Sequence, residues 1–234
     1  MQPYVFPYIG YFQLIRDVDL FVIFDDVNYR KRSWISRNRI LLNNADYLFT
    51  LHLSEVSSLK KINQIEVGAN RPALLKTFCQ AYSHAPYYRK AMPVVAELLL
   101  YEEKQLALYL MYQLQEVSRY LGLHTRFILS SDIEKNNDLK GQKKILAICE
   151  ALGADAYSNA IGGQHLYFEQ DFAARGIDLK FIQSGHVRYR QFNADFVPGL
   201  SIIDVMMFNS PAVIRNMLDE YLRIPAPDPR LINH

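Results

Sequence analysis

Hydrophobic positions recur along this chain in three rhythms, and each marks a different kind of element. Leu20-Phe21-Val22-Ile23-Phe24 is an unbroken apolar run of strand length, suited to a strand covered on both faces and stopped by Asp25-Asp26. Residues 40–42 and 47–53 flank Asn43-Asn44-Ala45-Asp46, which predicts a hairpin with an Asn-rich turn. From Pro72 the spacing becomes helical. Leu74, Leu75, Phe78 and Tyr82 form one stripe, residues 93–100 and 106–121 continue it, and Gly122 suits a helix stop. Ahead of all this, Pro3 and Pro7 forbid a long helix, and residues 11–16 after Gly10 read as one or two helical turns.

The second half alternates. Strands are predicted at 125–129, 156–158 and 179–182. Helices are predicted at 139–152 (stopped at Gly153), 164–174 (ended at Gly176), 202–208 and 212–222. A proline-rich tail from Pro225 is expected to be extended. This pattern predicts an α/β fold with a mainly parallel, Rossmann-like sheet flanked by helices. It reads as one domain over 1–234, with a helical insertion at 72–122 and no internal repeat. Such sheets bind ligands at the carboxyl ends of their strands. Three strand ends carry polar clusters: Asp25-Asp26, Ser130-Ser131-Asp132 and residues 158–163.

Composition narrows the classes. Half of the 234 residues are hydrophobic, a fifth are charged, and ten glycines and ten prolines are too few for a low-complexity chain. A net charge of +2 identifies no nucleic-acid binder by itself, so any basic function must be local. No apolar run is long enough for a membrane helix, and the start has no basic region ahead of an apolar one, so neither a membrane span nor a signal peptide is expected. Cys79 and Cys149 sit in apolar stretches as core residues and suit a reducing cytoplasm.

The local basic cluster is at 28–39, where Arg30, Lys31, Arg32, Arg37 and Arg39 are cationic. Arginine's planar fork fits phosphate or carboxylate, and Tyr29 or Trp34 would offer a stacking face. The sequence alone equally allows a solvated loop whose charges pair with nearby acids. Asp25 and Asp26 suit a base, a metal ligand or a grip on an amine, or else a cap and a salt bridge to Arg37 or Arg39. Gly162 and Gly163 join a strand to a helix and would let backbone N–H groups approach a ligand, with His165 in the first helical turn; an ordinary tight turn reads as well. The histidines show no ligand spacing with Cys, Asp or Glu, so no metal site is assigned, and no G-x-S-x-G marks a hydrolase.

The opening Met1-Gln2-Pro3-Tyr4-Val5-Phe6-Pro7-Tyr8-Ile9-Gly10-Tyr11-Phe12-Gln13-Leu14-Ile15 closely resembles the start of the WbqC-like proteins. The likeness continues through residues 24–29, 34–40 (with Arg37, Asn38 and Arg39), 81–82 with 85–87, Ser130-Ser131, 151–157 and 200–204. Members often carry a short apolar strand ahead of the Gln-Pro pair, which bears on the order of the first strand. The resemblance implies a role in O-antigen and other surface-polysaccharide gene clusters, modifying an amino sugar with glycine or a similar acyl group. A fainter likeness joins Phe6–Tyr11 to the H-x-G-H loop of nucleotidyltransferases and pantothenate-synthetase-like ligases, with Tyr8 and Tyr11 at the histidine positions. A phenol donates a hydrogen bond but brings no positive charge, so Lys31 or Arg37 would supply it.

The expected function is therefore a transferase acting on a nucleotide-linked amino sugar, with an activated acyl donor. Asp25, Asp26, Tyr8, Tyr11 and Lys31 are the expected catalytic set. Gln2, Tyr29, Arg30, Trp34, Arg37, Asn38, Arg39, Ser130, Ser131, Gly162, Gly163 and His165 are expected to bind substrate. Acyl-CoA, aminoacyl-tRNA or ATP with Mg would serve as donor or activator, and nucleic acid enters only if tRNA is the donor. Competing readings are a non-catalytic sugar-nucleotide-binding subunit, an ATP-dependent nucleotidyltransferase- or ligase-like enzyme, and a tRNA-binding protein.

Overall fold

A computed structural model describes residues 1–193 and 195–226. In chain order its elements are α1 (Ile9–Arg16), β1 (Leu20–Ile23), β2 (Arg37–Leu42), β3 (Ala45–Thr50), β4 (Leu53–Ser54), β5 (Glu66–Val67), α2 (Arg71–Tyr82), α3 (Tyr88–Leu100) and α4 (Leu106–Tyr120). After these come β6 (Arg126–Leu129), α5 (Gly141–Ala151), β7 (Ala156–Ala160), α6 (Glu169–Ala173), β8 (Asp178–Ser184), α7 (Ile202–Phe208), α8 (Pro211–Met217) and β9 (Tyr221–Pro225). The hairpin forms as its sequence asks. Asn43 and Asn44 both take positive φ, 52° and 62°, the backbone that a two-residue turn between twisted strands requires. Gly122, at φ 75°, ends α4 by giving its N–H to Arg119 while Leu123 reaches back to Ser118.

The α/β class holds, but the strands make small, mixed sheets rather than one mainly parallel sheet. β1 pairs in parallel with β6, and β7 in parallel with β8, which takes β9 antiparallel on its other edge. Between β1 and β7 lies a groove of about 330 Å³, bounded by Leu20, Val22 and Phe24 on one side and by residues 156–159 on the other. Leu14 of α1 and Ile145, Ile148 and Cys149 of α5 also line it. Met1 enters its end. The Met1 amine donates to the Val22 carbonyl at 2.8 Å and the Met1 carbonyl accepts from Phe24 N–H at 2.9 Å, a parallel rung opposite Ile23. Burial lowers the pKa of that amine to about 5.

Two further elements differ from expectation. The helix expected over 164–174 is a 3-10 stretch, Ile161–Leu166, followed by the short α6, because the Gly162-Gly163 pair resists α-helix. The helix expected over 212–222 stops at Met217, and Tyr221–Pro225 is drawn onto β8 as an edge strand, where a terminal proline is tolerated. Beyond Ala226 the expected extended tail lies outside the described residues. α3 begins at Tyr88, upstream of the expected residue 93, and carries Pro93 inside it at the loss of one backbone bond. The apolar faces of α2, α3 and α4 join α1, β1 and β2 in one core, while α5, α6, β7 and β8 enclose a smaller one. Among the described residues no helix is long and apolar enough to cross a membrane.

Candidate functional site

The chain between Pro3 and Tyr8 is held in a conformation it would not adopt alone. Phe6 has φ 40°, costly for a bulky residue. Asn38 Nδ2 donates to the carbonyls of Phe6 (2.6 Å) and Val5 (3.2 Å), and Ser201 Oγ donates to the Phe6 carbonyl at 2.7 Å. Ile202 N–H donates to the Pro7 carbonyl at 2.8 Å. These contacts deliver Tyr8 to the N-terminus of α1, where the first N–H groups of a helix point outward. Gly10 lets the Tyr8 ring lie against the first turn, since any Cβ there would meet it.

Tyr8 faces a cavity of about 420 Å³ that opens between α1 and the segment leaving β8. His186, Arg188 and Tyr189 of that segment line it, with Phe196, Gly199 and Leu200. The Arg188 guanidinium lies 5.5 Å over the Phe196 ring, and Tyr189 meets Phe196 edge-on at 5.1 Å. Beneath this wall Asp204 is fully buried. It accepts from Tyr82 Oη (2.8 Å), Tyr189 Oη (2.6 Å) and Gln191 Nε2 (2.8 Å). Burial pushes the Asp204 carboxyl up, and the three donors oppose it. Burial, with Asp204 beside them, raises the Tyr82 and Tyr189 phenols well above their usual range, so they remain donors. Tyr82 also accepts from Leu41 N–H at 3.0 Å, which ties β2 to the network. Burial raises Tyr8 as well, keeping its hydroxyl protonated at neutral pH.

A second polar cluster stands where β1 and β6 end side by side. Two of the three expected strand ends do meet: Ser131 N–H donates to Asp25 Oδ1 at 3.0 Å, and Asn63 Nδ2 donates to Asp25 Oδ2 at 2.9 Å. Asp26 is clasped by Lys144 of α5 at 2.7 Å and Lys135 at 3.2 Å, with all three side chains at most 4% exposed. Burial pushes the Asp26 carboxyl up, but the Lys144 and Lys135 ammonium groups beside it outweigh that and hold it below the ordinary value. Both carboxylates are thus occupied by protein partners. No described hydrogen bond or ion pair joins either to Arg30, Lys31, Arg37 or Arg39.

The remaining candidates fall in different places. Tyr11 points into the core and donates to the carbonyl of Gln2, itself exposed, so Tyr11 does not face the cavity. Tyr29 is buried with its hydroxyl on Ser36 Oγ at 3.1 Å, which removes it as a stacking face. Asn38 turns inward as the clamp already described. Arg30 and Lys31 are exposed, and Trp34 is 51% exposed with Arg39 at 5.6 Å over its ring. Arg39 also pairs with Asp46, and Arg37 Nε donates to the Ser33 carbonyl. Gly162, Gly163 and an exposed His165 lie on the 3-10 stretch, not in the first turn of an α-helix.

Sequence reading passed over His186, Arg188 and Tyr189, a polar cluster at a fourth strand end, and also Lys135 and Lys144. Lys144 carried a signal: its neighbours Ile145 and Ile148 place it beside the buried stripe of α5. Among the described residues no group of three His, Cys, Asp or Glu side chains is placed to hold a metal ion.

A family model described as the WbqC-like protein family matches residues 2–216. An uncharacterized protein of Mycobacterium tuberculosis, Rv1507c, is 30% identical over 211 residues, covering 87% of this chain and 89% of that protein. No solved structure matches. The Tyr8 loop, the Asn38 clamp and the Ser201–Asp204 turn beneath them all fall inside the matched stretch, and the chain belongs to the WbqC-like protein family.

Proposed function

We propose that the protein is a transferase that carries an acyl or aminoacyl group to the amine of a nucleotide-linked amino sugar, in the assembly of a surface polysaccharide such as an O-antigen. One observation carries the reading. The N-terminus of α1, Tyr8, His186 and Arg188 converge on a cavity of about 420 Å³ with aromatic walls. Helix N–H groups and a guanidinium suit a phosphate, and Tyr189 and Phe196 suit a planar ring. The family's association with polysaccharide gene clusters supports the sugar.

In this reading the sugar amine attacks the donor's carbonyl carbon. A C–N bond forms, the bond from that carbon to the donor's leaving oxygen or sulfur breaks, and the leaving group departs with the shared electron pair. His186 takes the proton the amine loses and returns it to the leaving group. The Tyr8 hydroxyl donates to the developing oxyanion. Asp25 and Asp26, spent on Ser131, Asn63 and the two lysines, hold the strand ends and are not the base. Amine-bearing UDP-, dTDP- and GDP-sugars, incubated in turn with acyl-CoA, with ATP plus free acid and with charged tRNA, test the reading by the sugar's gain in mass. An amide product is expected, reduced about a hundredfold or more in His186→Ala. Sugar binding with no product from any donor would contradict transfer and leave a binding subunit.

A further inference from the structure

The basic segment at 28–39 is left unused by the cavity, yet its placement is not that of scattered surface charge. A turn closed by Ser33 N–H on the Arg30 carbonyl presents Arg30, Lys31 and Arg32. Arg37 Nε reaches back to the Ser33 carbonyl, and Arg39 lies over Trp34. Arg37 and Arg39 occupy alternate positions on one face of β2, opposite Thr50 and Leu48 of β3. Five cations and a half-exposed indole therefore form one surface. Among the described ion pairs only Arg39 has an acid, the exposed Asp46. This surface abuts the cavity wall: Ser201 N–H donates to the Arg39 carbonyl, Ser201 bridges Tyr8, and Leu200 lines the cavity.

We propose that the turn 30–33 and the outward face of β2 are a landing surface for the single-stranded end of an RNA, whose aminoacyl ester is then the donor for the cavity. The inference rests on the transfer reading for its purpose and names the donor within it. Unpaired cations match successive phosphates, and an indole beside a guanidinium offers a stacking platform for an unpaired base. The sugar amine would attack the ester carbonyl, forming the C–N bond as the ester C–O bond breaks. The RNA's ribose hydroxyl leaves with the proton given up by the amine.

Trp34 is the chain's one tryptophan, so its fluorescence reports this surface alone. Titration with a tRNA transcript across a salt series should quench that fluorescence. The affinity of labelled RNA should fall steeply with salt. In the Arg30→Ala/Lys31→Ala/Arg32→Ala variant the slope of log K against log salt should be shallower by about two, at about 0.7 per phosphate on a single strand. Trp34→Ala should weaken binding about tenfold with little change in slope. Unaltered Trp34 fluorescence, an unchanged slope in the triple variant, or equal quenching by heparin or an acidic polysaccharide would each overturn the proposal. Nucleotide-sugar binding that persists and depends on Arg188 would show that only the donor assignment had failed.

Discussion

The ring of Tyr8 occupies the space a side chain on Gly10 would need: a Cβ at position 10 would stand 2.4 Å from it. The aromatic side chain that faces the cavity is thus seated by the absence of one two residues later. Gly10→Ala should push the half-exposed end of the Tyr8 ring aside, offsetting alanine's better helix propensity for a net cost of up to about 1 kcal/mol. In a Tyr8→Ala background the same change should be neutral or stabilising by up to about 1 kcal/mol. Urea melts of the four proteins read the coupling, and equal costs in both backgrounds would show that the ring does not set the preference.

Asn38→Ala removes two bonds to the carbonyls of Val5 and Phe6 at a backbone already held against its preference. A loss of about 2–3 kcal/mol is expected in denaturant melts. Weakened ligand binding should accompany it, since the same loop carries Tyr8.

Asp26 and its two lysines give a pH signature. The folded carboxyl titrates below its unfolded value, so its contribution is fully present above about pH 4 and is lost as pH falls through the lower folded value. Lys144→Met, leaving the buried charge with Lys135 alone, should cost about 3–5 kcal/mol at neutral pH and flatten that acid limb. An acid limb as steep in the variant as in the parent would contradict the assignment.

The Met1 amine works in the opposite range. Its folded pKa of about 5 lies below the ordinary 8, so the unfolded chain binds the extra proton between these values and stability should rise from pH 5 to 8. The full shift corresponds to about 4 kcal/mol. Nα-acetylation should abolish the rise. Fusing four or five apolar, β-branched residues ahead of Met1 should raise Tm by adding rungs in the groove between β1 and β7, where a glycine-serine extension of equal length should not. Equal melting temperatures for the two extensions would sink this reading of the groove.

Local signals in the sequence were easily read. Asn43-Asn44 asked for positive φ and obtained it, Gly122 ended α4, and the apolar run before Asp25 became a strand beside β6, though buried only on the face of Phe21 and Ile23, since Leu20 and Val22 line the groove. Signals that depend on partners distant in the chain were not. Tyr29 and Arg39 look alike as surface candidates until Ser36 and Trp34 are placed. Asn38 reads as a ligand-binding amide until the loop it clamps is known. Lys135 and Lys144 gain their meaning from Asp26, more than a hundred residues earlier. The division into small sheets depends on how β1 and β7 face one another, which no local pattern encodes.

Calorimetric titration with an amine-bearing nucleotide sugar, in the parent chain, Arg188→Ala and Arg37→Ala, tests the central claim most directly. Binding weakened at least tenfold by Arg188→Ala and unaltered by Arg37→Ala is the expected result, because the guanidinium beside Phe196 lines the cavity and the one bonded to Ser33 does not. Equal binding in all three proteins, or a loss confined to Arg37→Ala, would contradict it.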